Sequence, residues 1–246
     1  MTLRLCTICA RGQSKGFKNK NIKDFFGKPM IAHIISIAQD TKLFEHLAIS
    51  SDCDEILNIA KKAGVKHLIR RPDEMATDHA AKLPAIQHCA SQVELSTGLK
   101  FDTFVDLSVT SPLMIAEDIA GAVLLLESSS AKNVITGSLS ACSPYFSMVE
   151  RKDERFVTLS KKLDKLFDRR QDAPISYDMN GAIYVWKREK FFELSNIITD
   201  MTLLYEMPRD RSVDIDDEID FKIAKYLYKE RSNGNIFTKS LLREAE

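Results

Sequence analysis

Two stretches of this chain carry residue types whose spacing could do chemistry. Ser212-Val213-Asp214-Ile215-Asp216 alternates polar and apolar side chains. In an extended segment that alternation puts both carboxylates on one face. Two like charges side by side are costly unless a cation lies between them. A hard divalent ion such as Mg²⁺ takes carboxylate oxygens and leaves the rest of its shell to water and phosphates. Asp217 and Glu218, next in the chain, need no such partner, because anions are favourable at the start of the helix that follows. The second stretch is Leu5 to Asn21, LCTICARGQSKGFKNKN. Its first six residues are small, apolar or thiol-bearing and read as a buried strand. Arg11, Gly12, Lys15, Gly16, Lys18, Lys20 and Asn21 follow within eleven residues. A buried strand opening into a basic, glycine-containing loop presents backbone N–H groups and cations to a phosphate. The same letters also suit a solvated loop that is basic without a ligand. Neither the G-x-x-x-x-G-K-[ST] loop nor the G-x-G-x-x-G fingerprint is present.

Three further groups fall where ligands bind in open α/β sheets, beyond strand ends. Ser108-Val109-Thr110-Ser111-Pro112 is a turn whose hydroxyls can bond a ligand or their own backbone. Arg71-Pro72-Asp73-Glu74 is a loop in which Arg71 either faces a ligand or pairs with Glu74, and Lys82 lies just beyond. Arg169-Arg170-Gln171 sits in a charged stretch. The five His show no metal-ligand spacing, and no G-x-S-x-G is present. Cys6 and Cys9 form C-x-x-C, but on a strand residues three apart face opposite ways, so both read as core thiols.

These groups need a frame that brings them together. Strands are expected at His46–Ser51, Val65–Ile69, Phe104–Leu107, Asn133–Ser138, Asn180–Trp186 and Met201–Met207, with a short one at Val213–Ile215. Helices are expected from Pro29, as its first helical residue, and at Asp54–Ala63, Leu83–Val93 and Ile115–Ser128. A last helix, Asp217–Tyr228, is expected to turn Ile219, Ile223, Tyr226 and Leu227 inward. Strands alternating with helices predict a mostly parallel, doubly wound sheet. Between Ala141 and Asp178 charges cluster and apolar periodicity weakens, which reads as an inserted, β-rich arm carrying Phe146, Met148, Phe156, Leu159, Leu163, Leu166 and Phe167. Residues 1–140 and 179–230 would then form the core, and 231–246 a polar tail. The 246 residues carry 35 basic and 35 acidic side chains, so no global basic field draws nucleic acid or an anionic membrane. No apolar run is long enough to span a bilayer, and no basic, apolar and small-residue leader pattern opens the chain. Five cysteines at irregular spacing fit reduced thiols and a cytoplasmic setting.

Ala10, Arg11, Ser14, Lys15, Gly16, Lys20 and Asn21 spell AR-x-x-SKG-x-x-x-KN directly after the first strand. This resembles the cytidylyltransferases that make CMP-activated 2-keto sugar acids, the CMP-sialic acid synthetases among them. The resemblance runs to about Phe221. It implies a three-layer α/β/α, Rossmann-like nucleotidyltransferase core with a small β-rich dimerising arm. It also implies CTP and a 2-keto sugar acid as substrates, Mg²⁺ as cofactor and a homodimer. Asp214 and Asp216 match the family's S-[IV]-D-[IV]-D metal motif. Arg11, Lys15 and Lys20 would hold phosphates, Asp214 would act in catalysis, and Asn21 would read cytosine. Ala10, Gly12, Ser14, Arg71 and Lys82 complete the expected nucleotide side. The sugar side is expected at Ser108, Thr110, Ser111, Arg170, Gln171, Tyr177 and Asn180, with Arg170-Gln171 crossing from the other subunit to the substrate carboxylate. Thr110, Ser111 and Pro112 match Q-x-T-S-P-x-R, but Ser108 replaces its Gln and Met114 its Arg. Asp178 and Phe146 also replace an Arg and a Lys. These departures point to a differently decorated nonulosonic acid, legionaminic acid first.

Other readings stand beside this one. A CMP-Kdo-type synthetase would share the fold. A glycosyltransferase would use Asp214-Ile215-Asp216 as its D-x-D, which leaves the Lys-rich loop unexplained. An RNA-binding module would use the basic loop electrostatically, but net charge is zero and aromatic–basic interleaving is missing.

Overall fold

The computed structural model describes residues 2–12, 16–77, 79–163 and 169–234. Ser14, Lys15, Asp78, Leu166, Phe167 and the end of the tail lie outside them. The chain runs β1 (Arg4–Cys9), β2 (Asp24–Phe25), β3 (Lys28–Pro29), α1 (Met30–Asp40), β4 (His46–Ser51), α2 (Asp54–Lys62) and β5 (His67–Arg70). It continues through α3 (Lys82–Thr97), β6 (Thr103–Leu107), α4 (Ala116–Glu127), β7 (Asn133–Leu139), β8 (Val149–Arg151) and β9 (Val157–Leu159). Last come β10 (Tyr177–Lys187), α5 (Arg188–Phe191), β11 (Thr202–Glu206) and α6 (Glu218–Ser232).

Seven strands form one sheet in the order β11-β7-β10-β6-β1-β4-β5. All its pairings are parallel except those of β10, which runs against β6 and β7. Strand alternation sorts side chains into two cores. Cys6, Val105 and Val185 face α1, α2, α4 and α6, while Leu5, Phe104 and Trp186 face α3 and α5. The result is three layers, α/β/α, as two-sided burial of a parallel sheet requires. The C-x-x-C divides as expected: Cys6 joins the first core, Cys9 packs on the second, and all five cysteines are free thiols.

Three expectations change. Val213–Ile215 is not a strand, though Ile215 N donates to Thr110 O at 2.8 Å. Pro29 ends the small β2–β3 hairpin and precedes α1 rather than opening it. In α6 the inward face is Phe221 and Ala224, while Ile219, Ile223 and Tyr226 are exposed. Phe221 decides this rotation, because its ring packs against Phe17 and Phe25. Among the described residues, strands β8 and β9 pair only with each other, and the returning strand β10 already begins at Tyr177.

Candidate active site

One cleft of about 360 Å³ opens beyond the carboxyl ends of β1, β5 and β6. It gathers Arg11, Lys20, Asn21, Arg71, Lys82, Ser108, Thr110, Asp214 and Asp216 from six segments of sequence. Cys9, Met75, Thr77, Gly181 and Tyr184 complete much of the wall.

The β1 side is built first. Gly12 leaves the strand under close approach of β4's exit loop: a Cβ there would lie 2.7 Å from that of Cys53, so no larger residue fits. Its N–H donates to Asp52 Oδ1 at 2.8 Å. Asn21 is buried, and its Nδ2 donates to Arg11 O at 2.8 Å, folding the basic loop back on itself. Arg11 reaches across the cleft to Thr77 O. Arg71 is buried, with Nε and Nη2 donating to Ser50 Oγ and Ser50 O at 3.3 and 3.0 Å. The alternative pairing with Glu74 is not made; a buried guanidinium bonded to neutral groups is a strong anion site.

The carboxylates come from the segment before α6. A buried two-point ion pair fixes that segment: Arg211 Nε and Nη2 donate to Asp118 Oδ2 and Oδ1 of α4 at 2.9 and 2.8 Å. Asp217 caps α6 through the N–H groups of Ile219 and Asp220, the helix role expected of it. Asp214 is accessible from the cleft yet enclosed by its walls. That enclosure, with Asp216 adding to it, raises its carboxyl above the ordinary carboxylate value despite a hydrogen bond from Thr110. Lys20 Nζ donates to Ile215 O at 3.0 Å and to Asp216 Oδ1 at 3.1 Å. Cation and carboxylate, expected to serve different parts of a ligand, here hold each other.

A third group was not read from the sequence. Asp106 is fully buried in β6, accepts from Thr7 Oγ1 at 2.9 Å, and lies 3.1 Å from Lys82 Nζ. Tyr184 stands opposite Asp106 in the β6–β10 register, and the same ammonium lies 4.6 Å above its ring. The register shift between Met179 and Tyr184 turns this strand, and Gly181 within it takes φ +64°. The signal available was a lone acid inside the apolar run Phe104-Val105-Asp106-Leu107. Tyr184 gave none, since an aromatic in a strand is ordinary core.

Several expected residues stand elsewhere. Ala10 is buried, its N–H donating to Ser50 O. Ser111 is buried beneath the loop, whereas Ser108 Oγ and Thr110 Oγ1 share a 2.9 Å hydrogen bond at the cleft wall. Asn180 is buried too, with its amide bonded to Thr136, Ala182 and Ser212. It braces the strand instead of facing the cleft. Gln171 lines a separate cavity of about 310 Å³ with Ser140, Cys142 and Ile175, and Tyr177 is exposed at the start of β10. Within one chain, neither reaches the cleft. Among the described residues no cluster of three or more His, Cys, Asp or Glu could hold a metal by itself.

A model of the cytidylyltransferase family matches residues 5–240. The chain belongs to that family. It is 40% identical over 91% of its length to the CMP-N,N'-diacetyllegionaminic acid synthase of Campylobacter jejuni, covering 94% of that protein. It is 38% identical over 93% of its length to the post-translational flagellin modification protein B of Campylobacter coli, covering 96% of it. Among solved structures, CMP:2-keto-3-deoxy-manno-octonic acid synthetase complexed with CTP superposes with a TM-score of 0.67. That match covers 94% of this chain and all of the other at 16% identity, which is a likeness of fold. The cytidylyltransferase is therefore a nucleotidyltransferase enzyme, built on the three-layer sheet that the sequence implied.

Proposed function

We propose that this cytidylyltransferase activates a nonulosonic acid of the legionaminic type, converting CTP and the sugar acid to the CMP-sugar and pyrophosphate. One observation carries the reading: a single cleft joins a basic loop, a buried arginine and a paired-carboxylate segment. The sugar's anomeric oxygen attacks the α-phosphorus; the bond to the β-phosphate oxygen breaks, and the hydroxyl proton passes to solvent. Such transfer needs positioning and charge neutralisation more than covalent help. Arg11, Lys20 and Arg71 hold the phosphates and offset charge developing on pyrophosphate. Asn21, held through Arg11 O, presents its amide oxygen to the cytosine edge.

Asp214 and Asp216 fit a hard divalent cation. They offer oxygen donors only, and Asp216 is among the causes that make the Asp214 charge unfavourable. Two protein carboxylates also suit Mg²⁺, which keeps water and phosphate oxygens for the rest of its shell. When bound there it would polarise the α-phosphate. Lys20 and Asp216 neutralise each other until phosphate and cation arrive. The proposed assembly is a homodimer in which the arm brings Arg170 and Gln171 toward the partner's sugar side.

The experiment is incubation with CTP and Mg²⁺ against a panel: N,N'-diacetyllegionaminic acid, N-acetylneuraminic acid, pseudaminic acid and Kdo. Pyrophosphate and the CMP-sugar mass are read. Highest kcat/KM with the legionaminic acid is expected. Release with Kdo alone would move the enzyme to the octulosonate class, and none with any acid would overturn the reading.

A further inference from the structure

The cations of the cleft are divided by the sheet. Arg11 and Lys20 follow β1 and Arg71 follows β5, whereas Lys82 stands over β6 and β10. On that second half Lys82 is the one cation among the described lining residues. It also borders an adjoining cavity of about 420 Å³, whose wall includes Met179, Asn196 and Ile198.

We propose that Lys82, held by the buried Asp106 carboxylate against the Tyr184 ring, pairs with the carboxylate of the sugar acid, with Asp106 and Tyr184 as its positioning residues. The inference rests on the reading of the cleft given above. Its first support is placement. Lys82 is the first residue of α3, where a positive charge opposes the helix dipole. Helix stability does not explain a lysine there.

The second support is precision. Asp106 is fully buried, and Thr7 Oγ1 fixes its other oxygen. A rigid acceptor on β6 and an aromatic face on β10 leave a four-carbon side chain one resting place. Three ammonium donors allow a ligand contact beside the Asp106 contact. Burial pulls the Lys82 pKa down, but Asp106 and Tyr184 more than offset this, so the group stays charged.

The test compares the free sugar acid with its C1 carboxamide, which is isosteric and neutral, reading pyrophosphate release with CTP and Mg²⁺. Wild-type enzyme is expected to favour the acid by about 10- to 100-fold in kcat/KM, the range of one charge-assisted contact. Lys82→Met should bring that ratio to within a few-fold, by raising the KM for the acid while leaving that for CTP nearly unchanged. Asp106→Asn, which keeps an acceptor for Thr7, should lower the ratio in the same direction. The Lys82→Met/Asp106→Asn double variant should be no worse than Lys82→Met, because both act through one ammonium. It also removes the buried charge that the single Lys82 variant leaves unpaired. A Lys82→Met enzyme with the acid preference intact and a raised CTP KM would overturn the proposal. So would collapse of the preference in Arg170→Ala alone, which would give the carboxylate to the arm. Loss of pyrophosphate release in wild-type enzyme with every acid would instead fail the underlying reading.

Discussion

Asp214 and Asp216 differ in what surrounds them, and their variants should show it. Asp216 is widely exposed and meets Lys20, whereas Asp214 lines the cleft and is bonded by Thr110. Neither supports the core. Asp214→Ala and Asp216→Ala are expected to lower turnover by at least about a hundredfold with little change in melting temperature. Isothermal titration with Mg²⁺ in the presence of CTP should show weakened metal uptake in both. Near-normal turnover by either variant would remove the carboxylate pair from the chemistry. Lys20→Ala should instead raise the KM for CTP, since the cleft would have one cation fewer for the phosphates and Asp216 would stand unbalanced beside them.

Buried ion pairs at the element scale hold the segments that carry these groups. The Arg211–Asp118 pair ties the approach to Asp214 onto α4. Removing one partner of such a pair strands the other charge. Arg211→Met is therefore expected to cost about 3–5 kcal/mol in chemical denaturation. Asp118→Leu combined with it should recover much of that loss. Glu94 plays a similar part at the far end of α3. Its side chain is 5% exposed, and it accepts from Arg188, from Lys100 and from the Phe101 N–H. Burial pushes its pKa up, but these donors outweigh burial and hold it below the ordinary carboxylate value. The sign follows: the stabilisation is complete above the unfolded carboxylate pKa and disappears as pH falls through the lowered folded value. Glu94→Gln should thus cost about 1–3 kcal/mol near neutral pH, and the gap from wild type should close on acidification.

At the scale of the whole molecule, the described part of the arm leaves Phe156, Val157, Phe146, Met148 and Ile175 exposed around a two-stranded hairpin. A two-stranded ribbon is marginal alone, and an apolar patch of this kind marks an interface. A homodimer is expected by sedimentation, and Phe156→Asp with Val157→Asp should yield monomer with a sharply reduced rate. Mixing Arg170→Ala chains with Asp214→Ala chains under exchange should restore part of the activity, since one site of each heterodimer regains both groups. A monomer of full activity would rule out the shared site.

Local patterns reached far into this protein, and they stopped where distant strands meet. The grouping of Arg11, Lys20 and Arg71 with Asp214 and Asp216 came with the family resemblance; strand and helix types and the two faces of Cys6 and Cys9 follow from alternation and capping. Those are properties of residues near in sequence, and backbone sterics translate them directly. Asn180 and Ser111 were legible as polar letters near the motif, but only packing shows that their side chains brace the fold. The inward face of α6 escapes its own periodicity because Phe17 and Phe25, distant in sequence, decide its rotation. Asp106, Tyr184 and Lys82 meet only because β6 and β10, far apart along the chain, are neighbours in the sheet. Pairing register is a long-range choice, made by the burial of both sheet faces, and it is what placed the cation over its carboxylate.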